Sequence, residues 1–181
     1  QKKIAIATIL GTLQSKLTNF PYLRKVWKNN TEEERLLGVS LTGIMDSPLT
    51  NGKEMGLRER LDTFRKVAVD TNKKYADLLN IPQSTAITCV KPSGTVSQLC
   101  DSASGIHARH SQYYIRTVRG DNKDPLTQFM KDQGVPNESC VMKPDEVTVF
   151  SFPIKSPEGS VTRDQMTAIE QLEMWRTYQE H

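Results

Sequence analysis

Residues 85–97 (TAITCVKPSGTVS) constrain the fold more than any other stretch. Positions 85–90 are half apolar and rich in β-branched residues, the composition of a strand. Pro92 stops that strand, because proline gives no donor to a ladder and fixes φ at about −65°. Ser93, Gly94 and Thr95 make a small-residue turn, and Val96 restarts an apolar spacing that reads as a helix start. Such a junction gathers backbone N–H groups and hydroxyls at one point, the donor set that a phosphate takes. Lys91 adds a cation, Ser93, Thr95 and Ser97 add hydroxyls, and Gly94 is expected to allow a turn that a side chain would block. The Walker pattern is absent, since there is one glycine and the lysine precedes it. Spacing alone leaves an ordinary strand-to-helix turn and a phosphate cradle equally open.

The flanking chain alternates helical and extended signals. Ile6, Ile9, Leu10, Leu13 and Leu17 form an apolar stripe that predicts a helix over 4–20, ended by Pro21. Residues 22–28 read as a loop with a turn of helix, and Thr31 with Glu34 reads as a capping box opening a short helix. Residues 38–44 alternate like a strand between glycines, closed by turn chemistry at Asp46-Ser47-Pro48. Residues 54–79 hold the longest helical pattern, with Leu57, Leu61, Phe64, Val67, Ala68, Tyr75 and Leu78 on or near one face. Residues 113–119 read as a strand. Asp124-Pro125 starts a helix that reaches Gln133, with Gly134 as its cap. Residues 147–152 read as a strand stopped by Pro153. Thr162 is expected to cap a helix with Met166, Ile169, Leu172 and Trp175 as its stripe. This alternation predicts an α/β fold with parallel pairing, in one domain segment over 1–181 that is open at both ends.

The remaining chemistry is sparse. His107 and His110 stand three apart in a loop with Ser104, Gly105, Ile106 and Arg109, a spacing insufficient for a metal site; no metal ligand is assigned. Arg109, Arg116, Arg119 and Lys123 form a basic cluster that suits either an anionic substrate or a solvated strand edge. The aromatics Tyr113, Tyr114, Phe129, Phe150, Phe152 and Trp175 are expected in the core. Net charge of +3 is too small to argue for nucleic acid. No apolar run reaches the roughly 18 residues of a membrane span, and the start of the chain lacks a cleavage site for a signal peptide. Three cysteines (Cys89, Cys100, Cys140) without metal spacing point to a reducing, cytoplasmic setting, each as a small buried hydrophobe. Neither a catalytic triad nor paired catalytic carboxylates are visible, so the residues by themselves indicate an α/β nucleotide or phosphate binder.

Three stretches in order sharpen this. Residues 37–46 (LGVSLTGIMD) resemble the segment after the active-site finger loop of large ribonucleotide reductase chains. Residues 91–99 (KPSGTVSQL) resemble the substrate-phosphate loop of the coenzyme-B12-dependent (class II) reductases. Residues 103–109 (ASGIHAR) followed by 113–116 (YYIR) are similar to the adjoining family motif. The resemblance runs to the adenosylcobalamin-dependent ribonucleoside-triphosphate reductase branch.

It implies a partial ten-stranded α/β barrel, adenosylcobalamin as cofactor, and reduction of ribonucleoside triphosphates to 2′-deoxyribonucleotides for DNA replication. In that family a thiyl radical on a finger-loop cysteine abstracts the ribose 3′ hydrogen, the 2′ hydroxyl leaves as water, and two further cysteines supply electrons. The implied phosphate contacts are Pro92, Ser93, Gly94, Thr95, Val96 and Ser97. Lys91, Ser104, Gly105, Ile106, His107 and Arg109 are implied to lie near substrate or cofactor, and the stretch after Gly120 to face the cobalamin. Implied partners are the nucleotide, a thioredoxin-type reductant and the remaining reductase segment, with no nucleic acid and no membrane. Neither an Asn-x-Cys-x-Glu finger loop nor an exchange cysteine pair is present, so no catalytic residue is assigned and the segment is expected to be inactive alone. The alternatives are a non-catalytic nucleotide-binding module, one half of a split reductase, or a nucleic-acid binder resting on the basic cluster.

Overall fold

The computed structural model describes residues 1–181. Its longest element is helix α3 (Leu57–Leu79), which follows α1 (Lys2–Gln14) and α2 (Lys25–Glu34). Leu61, Ala68, Asn72 and Ala76 are buried along one face of α3, as the 3.6-residue period demands, while Leu78 stays exposed. That face meets α1.

The buried face of α1 is not the expected stripe. Thr8 and Thr12 point inward, whereas Leu10 is 61% and Leu17 74% exposed, with Ile6 and Leu13 also outside. Burial is tolerable because both hydroxyls are satisfied within the helix: Thr8 donates to the Ile4 carbonyl and Thr12 to the Thr8 carbonyl, each at 2.8 Å. Asn72 completes the contact, donating to Thr12 Oγ1 and Ser84 Oγ and accepting from the Ser84 N–H, all at 3.0 Å. A polar network therefore joins α1, α3 and the segment before Thr85. The first helix also ends at Gln14, short of the expected Phe20.

Thr31 does not open a helix. It lies in the last turn of α2, donating to the Trp27 carbonyl, and the helix stops at Arg35 in the left-handed region (φ 48°). The stop is fixed by the Arg35 guanidinium, which donates to the carbonyls of Glu32 and Ser15.

After α2 the chain runs beside residues 85–90. Leu37 N–H donates to Ala86, Val39 N–H to Ile87, and Cys89 N–H to Val39, making one parallel bridge, Val39 with Thr88. A second parallel bridge joins Arg109 to Thr162. Parallel pairing is confined to these bridges, a departure from the parallel sheet expected. The sheet itself is antiparallel: β1 (Tyr113–Asp121), β2 (Asn137–Ser139) and β3 (Val147–Lys155) in the order β1-β3-β2. The polar β2 (Asn-Glu-Ser) carries no strand signal. The short α4 (Thr95–Leu99) precedes β1, and α5 (Pro125–Asp132) follows it.

Pro153 does not stop β3, where it pairs with Ile115 of β1. β2 flanks only Thr148, Val149 and Phe150. Beside Pro153 that edge of β3 has no neighbour, so the missing N–H forfeits no ladder bond. α5 forms as the sequence predicts, Pro125 following Asp124, whose carboxylate accepts from the Leu126 N–H, with Gly134 at φ 72° beyond.

Thr162 caps a single 3₁₀ turn (Arg163–Gln165), and a second capping box at Thr167 and Glu170 opens α6 (Ala168–Glu180). Of the expected stripe, Met166 packs on the core of Ile44, Met45 and Val161 while Ile169, Leu172 and Trp175 are exposed; Met174 and Tyr178 pack on that core in their place. The Tyr178 hydroxyl donates to the Thr50 carbonyl at 2.8 Å, and burial raises its pKa well above the ordinary phenol value. The aromatics divide: Phe150 is buried, while Tyr113, Phe129 and Trp175 are exposed. Of the cysteines only Cys140 is buried; Cys89, in the segment bridged to Val39, and Cys100, at the end of α4, are exposed. No helix is long and apolar enough to cross a membrane.

Asn72→Leu should destabilise the chain by about 1–3 kcal/mol, because it leaves the half-buried Ser84 N–H without an acceptor and removes the donor to the buried Thr12 hydroxyl. Urea unfolding of the two proteins measures this; equal midpoints would show that the network does not hold the helices together.

Candidate functional site

The Lys91–Ser97 stretch meets two other segments at Thr42. The Thr42 Oγ1 lies 2.8 Å from Ser93 Oγ and 3.1 Å from the Ala103 carbonyl, and accepts from the Gly105 N–H at 3.0 Å. Backbone bonds close the junction, Gly43 N–H to Ala103 at 2.9 Å and Ile44 N–H to Gly105 at 3.2 Å. Loop 91–97 and loop 102–106 are therefore registered on one short segment, residues 42–44, that leads into the 3₁₀ turn Ile44–Asp46.

Glycine is required at two points here. Gly43 adopts φ 70°, and a Cβ there would lie 2.9 Å from the Ser102 Cβ. Gly105 adopts φ 53°, and its Cβ would sit 3.4 Å from the Lys91 carbonyl. Gly94 is different from the sequence expectation: its φ is −114°, and nothing lies within 4 Å of the Cβ it lacks.

Within the loop the donors divide. Ser97 is fully buried, its hydroxyl donating to the Gly94 carbonyl at 2.7 Å with Ser104 Oγ at 3.3 Å, so it braces the turn from beneath. The N–H groups of Ser93 and Gly94 and the hydroxyl of Thr95 have no protein partner. Pro92, Gly94, Thr95 and Val96 are exposed and Ser93 is half-buried. Lys91 is exposed, its Nζ standing 3.4 Å from the point where a Cβ on Gly38 would lie.

The second loop does not converge on this point with all its members. His107 is exposed, and His110 packs edge-on to Tyr114 at 5.7 Å between ring centroids. Ile106 packs on the Ile44–Met45–Val161 core and its carbonyl accepts from Gln171. Arg109, 6% exposed, is committed to Asp46: Nε reaches Oδ1 and Nη2 reaches Oδ2, both at 2.8 Å. It also donates to the Asp101 carbonyl and lies 3.4 Å from the Tyr114 hydroxyl. The Asp46 hydrogen bond holds the guanidinium in its charged form, above its ordinary pKa, against a burial that pulls the other way. The same carboxylate accepts the Ala103 N–H at 2.7 Å, so the pair pins loop 102–106 from below. Arg109 thus positions the loop, and the basic cluster loses that member.

Thr42 and Asp46 escaped the sequence reading. Thr42 was hidden within an alternating strand, and Asp46 within the turn triplet Asp-Ser-Pro. The available signal was the lone hydroxyl in Leu41-Thr42-Gly43, a polar residue beside a glycine in an apolar run.

No protein-family model matches the chain. A solved B12-dependent (class II) ribonucleotide reductase matches 97% of the chain and 29% of its own, with a TM-score of 0.78 and 22% sequence identity. The fold is thus that of part of such an enzyme, α/β overall. Among curated proteins, the adenosylcobalamin-dependent ribonucleoside-triphosphate reductase of Lactobacillus gasseri is 31% identical over 165 residues, 78% of this chain and 22% of its own. That of Euglena gracilis is 32% identical over 155 residues, 82% of this chain and 21% of its own. The chain belongs to the ribonucleotide reductase family. Its relatives there are adenosylcobalamin-dependent ribonucleoside-triphosphate reductases, and it spans about a fifth of their length.

Asp46→Asn is expected to cost about 3–5 kcal/mol, since it leaves the Arg109 charge buried without its partner. Calorimetric or denaturant unfolding reads the loss. Gly43→Ala should also destabilise, by at least about 1 kcal/mol, from the left-handed φ together with the Ser102 contact; a melting temperature equal to that of the unaltered chain would contradict it.

Proposed function

We propose that this chain is a segment of the catalytic α/β barrel of a class II ribonucleotide reductase and supplies the loop that holds the substrate triphosphate. The observation that carries the reading is the unengaged donor set: the N–H groups of Ser93 and Gly94 and the Thr95 hydroxyl have no protein partner, while the Ser93 and Ser97 hydroxyls are held by Thr42 and by the Gly94 carbonyl. A phosphate oxygen accepts only, so it needs donors that are free and fixed. Gly94 fits the same reading. No φ and no neighbour in the protein requires a glycine there, so the open space above it is room for a ligand to approach the backbone.

Lys91, Pro92, Val96 and Ser97 then shape the loop, with Ser97 below it. Ser104 and Gly105 form the adjoining wall. The substrate in this reading is a ribonucleoside triphosphate, reduced to its 2′-deoxy form by the complete enzyme with a thioredoxin-type reductant, and the remaining reductase segment is this chain's partner. The place of action is the cytoplasm.

Neither of the two cavities beside α6 suits the relatives' coenzyme. The cavity between residues 39–41, 88–90 and α6 is about 170 Å³, below the roughly 300–1,000 Å³ of pockets for drug-sized ligands. The larger groove, about 780 Å³ between residues 51–59 and 165–180, is lined mainly by charged and polar groups such as Arg58, Glu59, Glu173 and Arg176. Adenosylcobalamin does not fit either one by shape and chemistry, so it is assigned to the assembled reductase and no step is drawn through residues of this chain.

In the reductase polypeptide that contains this sequence, Ser93→Ala with Thr95→Ala should raise the nucleotide KM by about tenfold or more, each lost bond to a charged group being worth roughly 1.5–3 kcal/mol. An unchanged KM removes the phosphate assignment. Gly94→Ala separates ligand from fold: it should melt no lower than the unaltered enzyme, yet bind nucleotide more weakly. Nucleotide binding without deoxynucleotide formation, after mixing with the remaining reductase segment, would instead indicate a non-catalytic binding module.

A further inference from the structure

The hydroxyl of Thr42 occupies a place that the phosphate reading leaves unexplained. It accepts from the Gly105 N–H, and it lies within bonding distance of both Ser93 Oγ (2.8 Å) and the Ala103 carbonyl (3.1 Å). A hydroxyl has one proton and two lone pairs. Thr42 can therefore donate to Ala103 or to Ser93, but not fully to both.

The two choices have opposite consequences for Ser93. If Thr42 donates to Ala103, Ser93 must spend its own proton on Thr42 and offers the loop mouth only lone pairs. If Thr42 donates to Ser93, the Ser93 proton is free to point outward. Phosphate oxygens accept and do not donate, so the second arrangement alone suits an anion. The swing leaves nothing orphaned, because the Ala103 carbonyl keeps the Gly43 N–H at 2.9 Å. It needs only rotation of two hydroxyls, about the Thr42 Cβ–Oγ1 and Ser93 Cβ–Oγ bonds.

We infer that Thr42 is a positioning residue that sets the Ser93 hydroxyl as a donor toward the substrate phosphate. This rests on the reading of loop 91–97 as the phosphate site. Thr42 itself does not touch the ligand; it acts through Ser93, with Gly105 and Ala103 holding it in place. Asp46 and Arg109 contribute one step further back, by fixing the Ala103 backbone.

The experiment is a double-mutant cycle on the nucleotide KM in the reductase polypeptide that contains this sequence. Thr42→Val, which keeps the shape and removes the hydroxyl, should raise KM about five- to tenfold with kcat little changed, and Thr42→Ser should restore KM to within about twofold. In a Ser93→Ala background Thr42→Val should add less than about twofold, since the residue through which it acts is gone. Ser93→Ala raising KM while Thr42→Val leaves it unchanged, or adds its full effect in the Ser93→Ala background, overturns the inference and leaves the phosphate site standing. Ser93→Ala without effect on KM overturns the inference, and the phosphate site falls with it only if Ser93→Ala combined with Thr95→Ala is also without effect. If Thr42→Val does not accumulate as folded protein, Thr42→Cys takes its place: a thiol is a weak donor, and the same rise in KM is expected.

Discussion

The Asp46–Arg109 pair is the contact on which the loop region depends. Asp46 is 13% and Arg109 6% exposed at the side chain, and both guanidinium–carboxylate bonds are 2.8 Å. A buried pair of this kind gains little over an apolar replacement, because the attraction mostly repays desolvation. Its value here is geometric. One carboxylate oxygen also takes the Ala103 N–H, and the guanidinium takes the Asp101 carbonyl, so residues 101 and 103 are tied to the 3₁₀ turn Ile44–Asp46. The Arg109 backbone meanwhile brackets residues 161–163, accepting from the Arg163 N–H and donating to the Val161 carbonyl. Three distant pieces of sequence are thereby held in register with no regular sheet between them.

What the sequence disclosed follows the range of the forces involved. Helix α3, helix α5 and strand β1 were legible because their signals are local: a long apolar period, an Asp-Pro start, a run of β-branched and aromatic residues. The failures lie where a partner decides. Both α1 and α6 carry apolar stripes that stay exposed, while Thr8 and Thr12, or Met174 and Tyr178, make the packed face. A hydropathy period cannot show that two threonines satisfy their own hydroxyls and so become cheaper to bury than leucine is to expose. Pro153 misled for a similar reason. Whether proline ends a strand depends on whether that edge has a neighbour, which is a property of the sheet.

The candidate site was legible in outline and not in its supports. Residues 91–97 stood out because a proline, a glycine and three hydroxyls cluster there. The residue that looked like the special turn glycine, Gly94, is not the one that needs to be glycine. Gly43 and Gly105 carry the positive φ and the close approaches, and Gly94 has neither. Arg109 looked like a free cation in a basic run, and its partner lies 63 residues away along the chain. Separation of that size leaves no trace in spacing.

These supports are polar throughout, which bears on how such a loop can work. Among the fully buried larger side chains, Asn72, Thr8, Thr12, Thr127, Ser97 and Ser156 outnumber Phe150 and Met45. Hydrophobic burial is non-directional and sets how tightly segments collapse. Hydrogen bonds fix orientation to within a narrow angle, and a site for an anion needs its donors aimed before the ligand arrives. Large apolar residues such as Ile6 and Leu10 on α1 and Leu172 on α6 stay outside. Polar networks inside this segment therefore hold the 91–105 region in its geometry, which collapse of apolar side chains alone would not aim.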